Sequence, residues 1–85
     1  MTLEQAQKAV ASWVAETQKS VSKFNALEWG ELLPRDDGTM SIRCKYELTY
    51  LVKPDIEVLD QMIFFDKDGN VDSTLHLQPP VYKKQ

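Results

Sequence analysis

Met40-Ser41-Ile42-Arg43-Cys44-Lys45-Tyr46-Glu47-Leu48-Thr49-Tyr50-Leu51-Val52 alternates between apolar and polar residues as far as Tyr50. Met40, Ile42, Cys44, Tyr46, Leu48, Tyr50 and Val52 point one way, and Ser41, Arg43, Lys45, Glu47, Thr49 and Leu51 point the other. A period of two is the signature of an antiparallel strand with one face buried. At the usual rise the run spans roughly 40 Å, so it is expected to twist or bulge rather than lie flat.

Turn chemistry brackets this strand. Upstream, Pro34-Arg35-Asp36-Asp37-Gly38 reads as a hairpin loop, preceded by a first strand in which Leu27, Trp29 and Leu33 alternate with Glu28 and Gly30. Downstream, Lys53-Pro54-Asp55 is a tight turn into a third strand, Ile56 to Phe65. Asp66-Lys67-Asp68-Gly69-Asn70 then turns into a fourth, Val71 to Leu77. Connections this short permit only antiparallel neighbours, because a parallel pair needs a crossover of about a dozen residues or more. The expected sheet is a four-stranded meander.

Before the strands the period is helical. Thr2 is an N-cap, Gln5 completes a capping box, and Glu4 sits in the first turn. Leu3, Ala6, Val10, Trp13, Val14, Thr17, Val21 and Phe24 recur at steps of three and four, which predicts one amphipathic helix of about six turns ending near Asn25. After Gln78 the Pro-interrupted segment 79–85 has no periodicity and reads as a flexible tail. The expected organisation is a single α+β domain over 1–78 followed by that tail.

Composition narrows the function classes. The chain has 85 residues, 42% of them hydrophobic, which suits one folded domain and leaves no room for a second core. A net charge of −3, with Lys and Arg scattered among the acids, shows no phosphate-binding footprint, so nucleic acid is not an expected partner. No apolar run reaches membrane length and no leader pattern follows Met1. Cys44 is the only cysteine, which excludes an internal disulfide and fits a reducing compartment. The expected location is the cytoplasm, with no membrane partner.

A helix followed by a curved antiparallel meander resembles the cystatin-like arrangement of cystatins, monellin and small PepSY-type domains. Thr2-Leu3-Glu4-Gln5-Ala6 and Phe65-Asp66-Lys67-Asp68-Gly69-Asn70-Val71 carry the likeness to the PepSY type. The Gln-Val-Val-Ala-Gly type of loop by which cystatins plug cysteine proteases has no counterpart, so protease inhibition is not implied.

Few residues suggest chemistry. His76 is the sole histidine, flanked by Leu75 and Leu77 of opposite parity, and reads as a residue of the less buried face without a partner or nucleophile. Cys44 lies among apolar positions as a buried thiol. Asp66, Asp68 and Asn70 alternate like the opening of a calcium loop. Gly69 is misplaced for that pattern, however, and Leu77 stands where the closing Glu belongs, so a hairpin explains them. Pro79-Pro80-Val81-Tyr82 matches a WW-domain ligand pattern, but the prolines are read as strand terminators and no WW-type partner is expected. No catalytic set, metal site or cofactor motif emerges, and the chain is not expected to be an enzyme.

Strand three holds the most informative feature, because it is apolar at both parities. Val58, Met62 and Phe64 belong to one face and Leu59, Ile63 and Phe65 to the other, while a single helix covers only one. The opposite register would exchange the two sets, and the C-terminal tail with Val81 and Tyr82 folding back over the uncovered one is the plain alternative. The leading expectation is a protein-binding or assembly module, with a homodimer as one form of it, using an uncovered face around Leu59, Ile63 and Phe65 with Leu51 and Leu32 beside them. The alternative is a small-ligand domain or simple enzyme with a pocket lined by Trp13, Trp29, Tyr46 and Tyr50.

Overall fold

The computed structural model describes residues 1–84 as α1 (Leu3–Thr17) followed by β1 (Val21–Pro34), β2 (Met40–Tyr50), β3 (Asp55–Phe65), β4 (Val71–His76) and β5 (Val81–Lys84). All strand pairs are antiparallel, the order is β1-β2-β3-β4, and β5 pairs with β3. The result is an α+β fold with one helix on an open five-stranded sheet that does not close into a barrel.

The capping box forms as its residues dictate. The Thr2 N–H donates to Gln5 Oε1 at 2.9 Å, and the Gln5 N–H donates to Thr2 Oγ1 at 3.1 Å. The helix then stops after four turns, two short of the expected end. Its last turn carries Glu16 and no basic residue, so nothing there complements the helix dipole. The Thr17 hydroxyl donates back to the Trp13 carbonyl at 2.7 Å. Val21 and Phe24, which continue the helical period on paper, pair instead with Tyr50 and Leu48 of β2. A β-branched and an aromatic residue suit either element, and the free edge of β2 takes them into the sheet.

The two hairpin turns are copies in design. Arg35 and Thr39, like Asp66 and Asn70, close three-residue loops in which Gly38 and Gly69 both take φ of 84°. Glycine adopts that left-handed conformation without the Cβ clash that other residues meet.

The core lies between helix and sheet. Ala6, Val10 and Val14 form a narrow stripe of small residues that lets the helix sit close to Ile42, Cys44, Tyr46, Leu48, Leu59, Ile63 and Phe65. The molecule measures 40 × 23 × 18 Å. Fifteen residues of helix span only about 22 Å, so α1 covers roughly half of the sheet's length, at the end where the two hairpins turn. Toward the other end, Phe24 packs on Tyr46 with ring centroids 5.2 Å apart.

Both outer edges of the sheet are irregular. The β1 edge is broken by three register shifts. On the opposite side β4 and β5 run in the same direction along β3, interrupted by Gln78-Pro79-Pro80. The segment read from sequence as a flexible tail is therefore an ordered strand from Val81 to Lys84, whereas Gln85 lies outside the described residues. Bulges and prolines are devices that keep sheet edges from pairing with other edges.

Candidate functional site

The pairing register settles which residues share a face. Ile42 stands opposite Ile63, Tyr46 opposite Leu59, and Cys44 opposite Gln61, all on the helix side. Ser41 stands opposite Phe64, Arg43 opposite Met62, and Glu47 opposite Val58, on the open side. Leu59, Ile63 and Phe65 are consequently buried at 6%, 0% and 1% exposure, which removes them from any docking surface. Leu32 also packs against the core, opposite Ile42. Leu51 is 70% exposed, but it lies in the turn after β2 beside Val52 rather than on a sheet face. The expected interaction set is thus corrected to the other parity.

The open face is built as an apolar strip crossed by ion pairs. Leu33, Phe64, Met62 and Leu75 line one half, since Leu33 stands opposite Ser41, which itself faces Phe64, and Leu75 stands opposite Met62. Leu33 and Leu75 are well exposed while Met62 and Phe64 are half-buried, and the Arg35 guanidinium lies 4.7 Å from the Phe64 ring centroid. Val58 and Val81 pair at the other half. Between the halves Arg43 grips Asp60 with two bonds, Nε to Oδ1 at 3.0 Å and Nη2 to Oδ2 at 2.7 Å. Asp60 is nearly buried although no layer covers it, and the fork of Arg43 holds its carboxyl below the usual carboxylate range. Glu47 is fixed from both sides, accepting from Asn25 Nδ2 of the adjacent β1 at 3.2 Å and pairing through Oε2 with Lys83 of β5, two strands away. Lys83 chiefly, with help from Asn25, lowers the pKa of Glu47.

The helix side carries a second polar group. Tyr46 donates to Gln61 Oε1 at 2.6 Å, and Gln61 Nε2 lies 3.5 Å from His76 Nδ1. Tyr50 and Tyr82 both donate to Glu57, at 2.6 and 2.9 Å. Burial raises the Tyr46 hydroxyl above its ordinary pKa, and burial followed by the Glu57 bond does the same for Tyr50. His76 stands opposite Gln61, on the parity of the helix side, yet it is exposed, as the sequence reading of a surface histidine expects. Its neighbours Leu75 and Leu77 are exposed as well, at 56% and 43%. Burial also pushes the Cys44 thiol up to about 12, which keeps it protonated and inert.

The four aromatics expected to line one pocket are not brought to one. Tyr46 is buried and hydrogen-bonded, Tyr50 is tied to Glu57, and Lys53 stands 5.0 Å from the Tyr50 ring centroid. Trp13 lines a groove with Ala9 and Val71, while Trp29 lines a separate depression with Glu28, Gly30, Arg43 and Lys45. All four rings pack on the core instead. In the β3–β4 hairpin Asp66 Oδ1 accepts the N–H groups of Asp68 and Asn70, so this carboxylate shapes the turn.

Sequence reading named Val58, Met62 and Phe64 as one parity and left open which parity meets the helix, although the interaction set it put forward was the other one. The missed member, Leu75, joins the strip only through pairing with β3, and Val81, named as part of a tail that could fold back, does so by the same means. The signal that could have found them is the strong parity of β2, carried across to β3 by the register. Compared with protein-family models, with curated proteins and with solved structures, the chain matches none.

Proposed function

We propose that this domain is a non-enzymatic assembly module that associates through the open face of its sheet, with a second copy of itself as the partner. One observation carries the reading: Met62, Phe64 and Leu75 adjoin one another, with Leu33 across Ser41, on a face that no layer covers among the described residues. Apolar strips of this kind on a small domain favour burial against a partner. The irregular edges support the same conclusion, because three register shifts on β1 and two prolines between β4 and β5 discourage growth of the sheet sideways. The open face meets no such obstacle.

The Arg43–Asp60 pair gives such a contact an orientation, since a partner must meet the half-exposed guanidinium as well as the apolar strip. Among the described residues no helix is long and apolar enough to cross a membrane. The reading takes the cytoplasm as the compartment, on the strength of the lone thiol.

Sedimentation equilibrium tests it. The native chain is expected to show a mass above that of one chain, and Met62→Lys together with Leu75→Lys is expected to return it to one chain with the fold intact. A native protein that sediments as a single chain up to the highest soluble concentration ends the proposal.

A further inference from the structure

The C-terminal strand is held by an unusual division of labour. β5 is only four residues long, all four are exposed, and its backbone pairs with β3 from Asp55 to Val58. Consecutive side chains then reach to opposite faces of the sheet. Tyr82 donates to Glu57 on the helix side, and Lys83 pairs with Glu47 on the open side, passing over β3 to reach β2. Glu47 is 13% exposed at its side chain, so without Lys83 a largely buried carboxylate would keep only the Asn25 amide. The slot is specific, in that it reads a hydroxyl-bearing aromatic followed by lysine in an extended chain.

Little commits this strand to its own molecule. From Gln61 to Val58 β3 takes three steps, whereas the partner chain takes five from His76 to Val81, so two residues are extra. The joint includes Pro79 and Pro80, which have no N–H to give to the ladder. The strand's own side chains bury little, so its release forfeits few apolar contacts.

We propose that the edge of β3 from Asp55 to Val58 is a strand-accepting slot, and that a second copy of this chain fills it in trans with its own Val81–Lys84. The contacts made in trans are those made in cis, and the two arrangements differ only in effective concentration, which is millimolar for short flexible connections. Exchange is therefore a property of high local concentration. It uses the β3 edge, Glu47 and Glu57, and is separate from the strip of Met62 and Leu75 proposed above.

Reversing one charge on each side of the clamp tests this with full-length chains. Glu47→Lys alone sets two ammonium groups against each other across the clamp, and Lys83→Glu alone sets two carboxylates against each other there. Mixed, the tail of each variant matches the slot of the other, so reciprocal exchange restores both pairs. With one variant isotopically labelled, native mass spectrometry of the mixture is expected to show heterodimer well above the one-half share of dimers given by random pairing. The double variant Glu47→Lys/Lys83→Glu, matched within one chain, is expected to lose that excess. A mixture containing only monomers, or dimers in the random proportion, overturns the exchange. The random proportion is also what association through the open face alone would give, so the two proposals fail separately. Circular dichroism of each variant alone covers loss of folding. A fold lost alone and regained on mixing supports exchange, and one not regained overturns it.

Discussion

Phe64 and Phe65 are neighbours in the chain and identical in chemistry, yet the structure uses them for opposite purposes. Phe65 is 1% exposed, sealed beneath the helix with Ile63 and Leu59. Phe64 lies on the far side of the same strand, half-buried under the guanidinium of Arg35. The pleat alone separates them, since successive side chains leave a strand on opposite faces. A run such as Met62-Ile63-Phe64-Phe65 is thus two half-strands interleaved, one belonging to the core and one to the surface.

The largest expected effect breaks the core face outright. Leu59→Lys with Phe65→Lys places two ammonium groups in the apolar core, and the chain is expected to unfold, seen as loss of its circular dichroism and of dispersed methyl resonances. Met62→Lys with Leu75→Lys changes the same number of residues to the same side chain on the other face, and should retain both signals. If the two pairs behaved alike, the assignment of faces would be wrong.

Single truncations sharpen the contrast within one residue type. Phe65→Ala should cost about 3–5 kcal/mol, the range for an aromatic removed from a closed core. Phe64→Ala should cost roughly 1–2 kcal/mol, because part of its surface already meets water. Urea unfolding of both variants under the same conditions measures the difference directly.

The smallest effect is electrostatic and concerns the open face alone. Asp60 is held below its ordinary pKa by Arg43. A carboxyl depressed in the folded state contributes stability that is fully present above the unfolded value, about 3.9, and is lost as pH falls through the folded one. Arg43→Gln should therefore lower the urea midpoint at pH 7, and the loss should shrink as the pH falls below the unfolded value and through the folded pKa of Asp60. An equal loss across that range would mean that Arg43 acts through packing of its stem rather than through its charge.

Much of the architecture is legible residue by residue, for reasons that differ along the chain. The helix start is visible because Thr2 and Gln5 satisfy each other within three positions, and both hairpins are visible because Gly38 and Gly69 supply the left-handed residue of their loops. The helix end is not, since Val21 and Phe24 fit the apolar stripe of a helix as well as they fit a strand. The ordered tail is hidden for another reason. Nothing in Val81-Tyr82-Lys83-Lys84 reads as a core strand, and its order depends on Glu57 and Glu47, more than twenty residues away in sequence. The candidate surface falls between these cases, for its residues were visible as a set while their side was not.

The sequence by itself determined the kinds of element, their number through β4, and their antiparallel meander. Each of those rests on caps, turns and periods that act over a few residues, together with loops too short for any other connection. Only the tertiary structure decided where the helix yields to the sheet, whether the last residues join it, and which side of β3 meets the helix. Those outcomes depend on partners that chain folding brings together, above all the register of β2 against β3. A shift of one residue in that register would have exchanged the core and the surface.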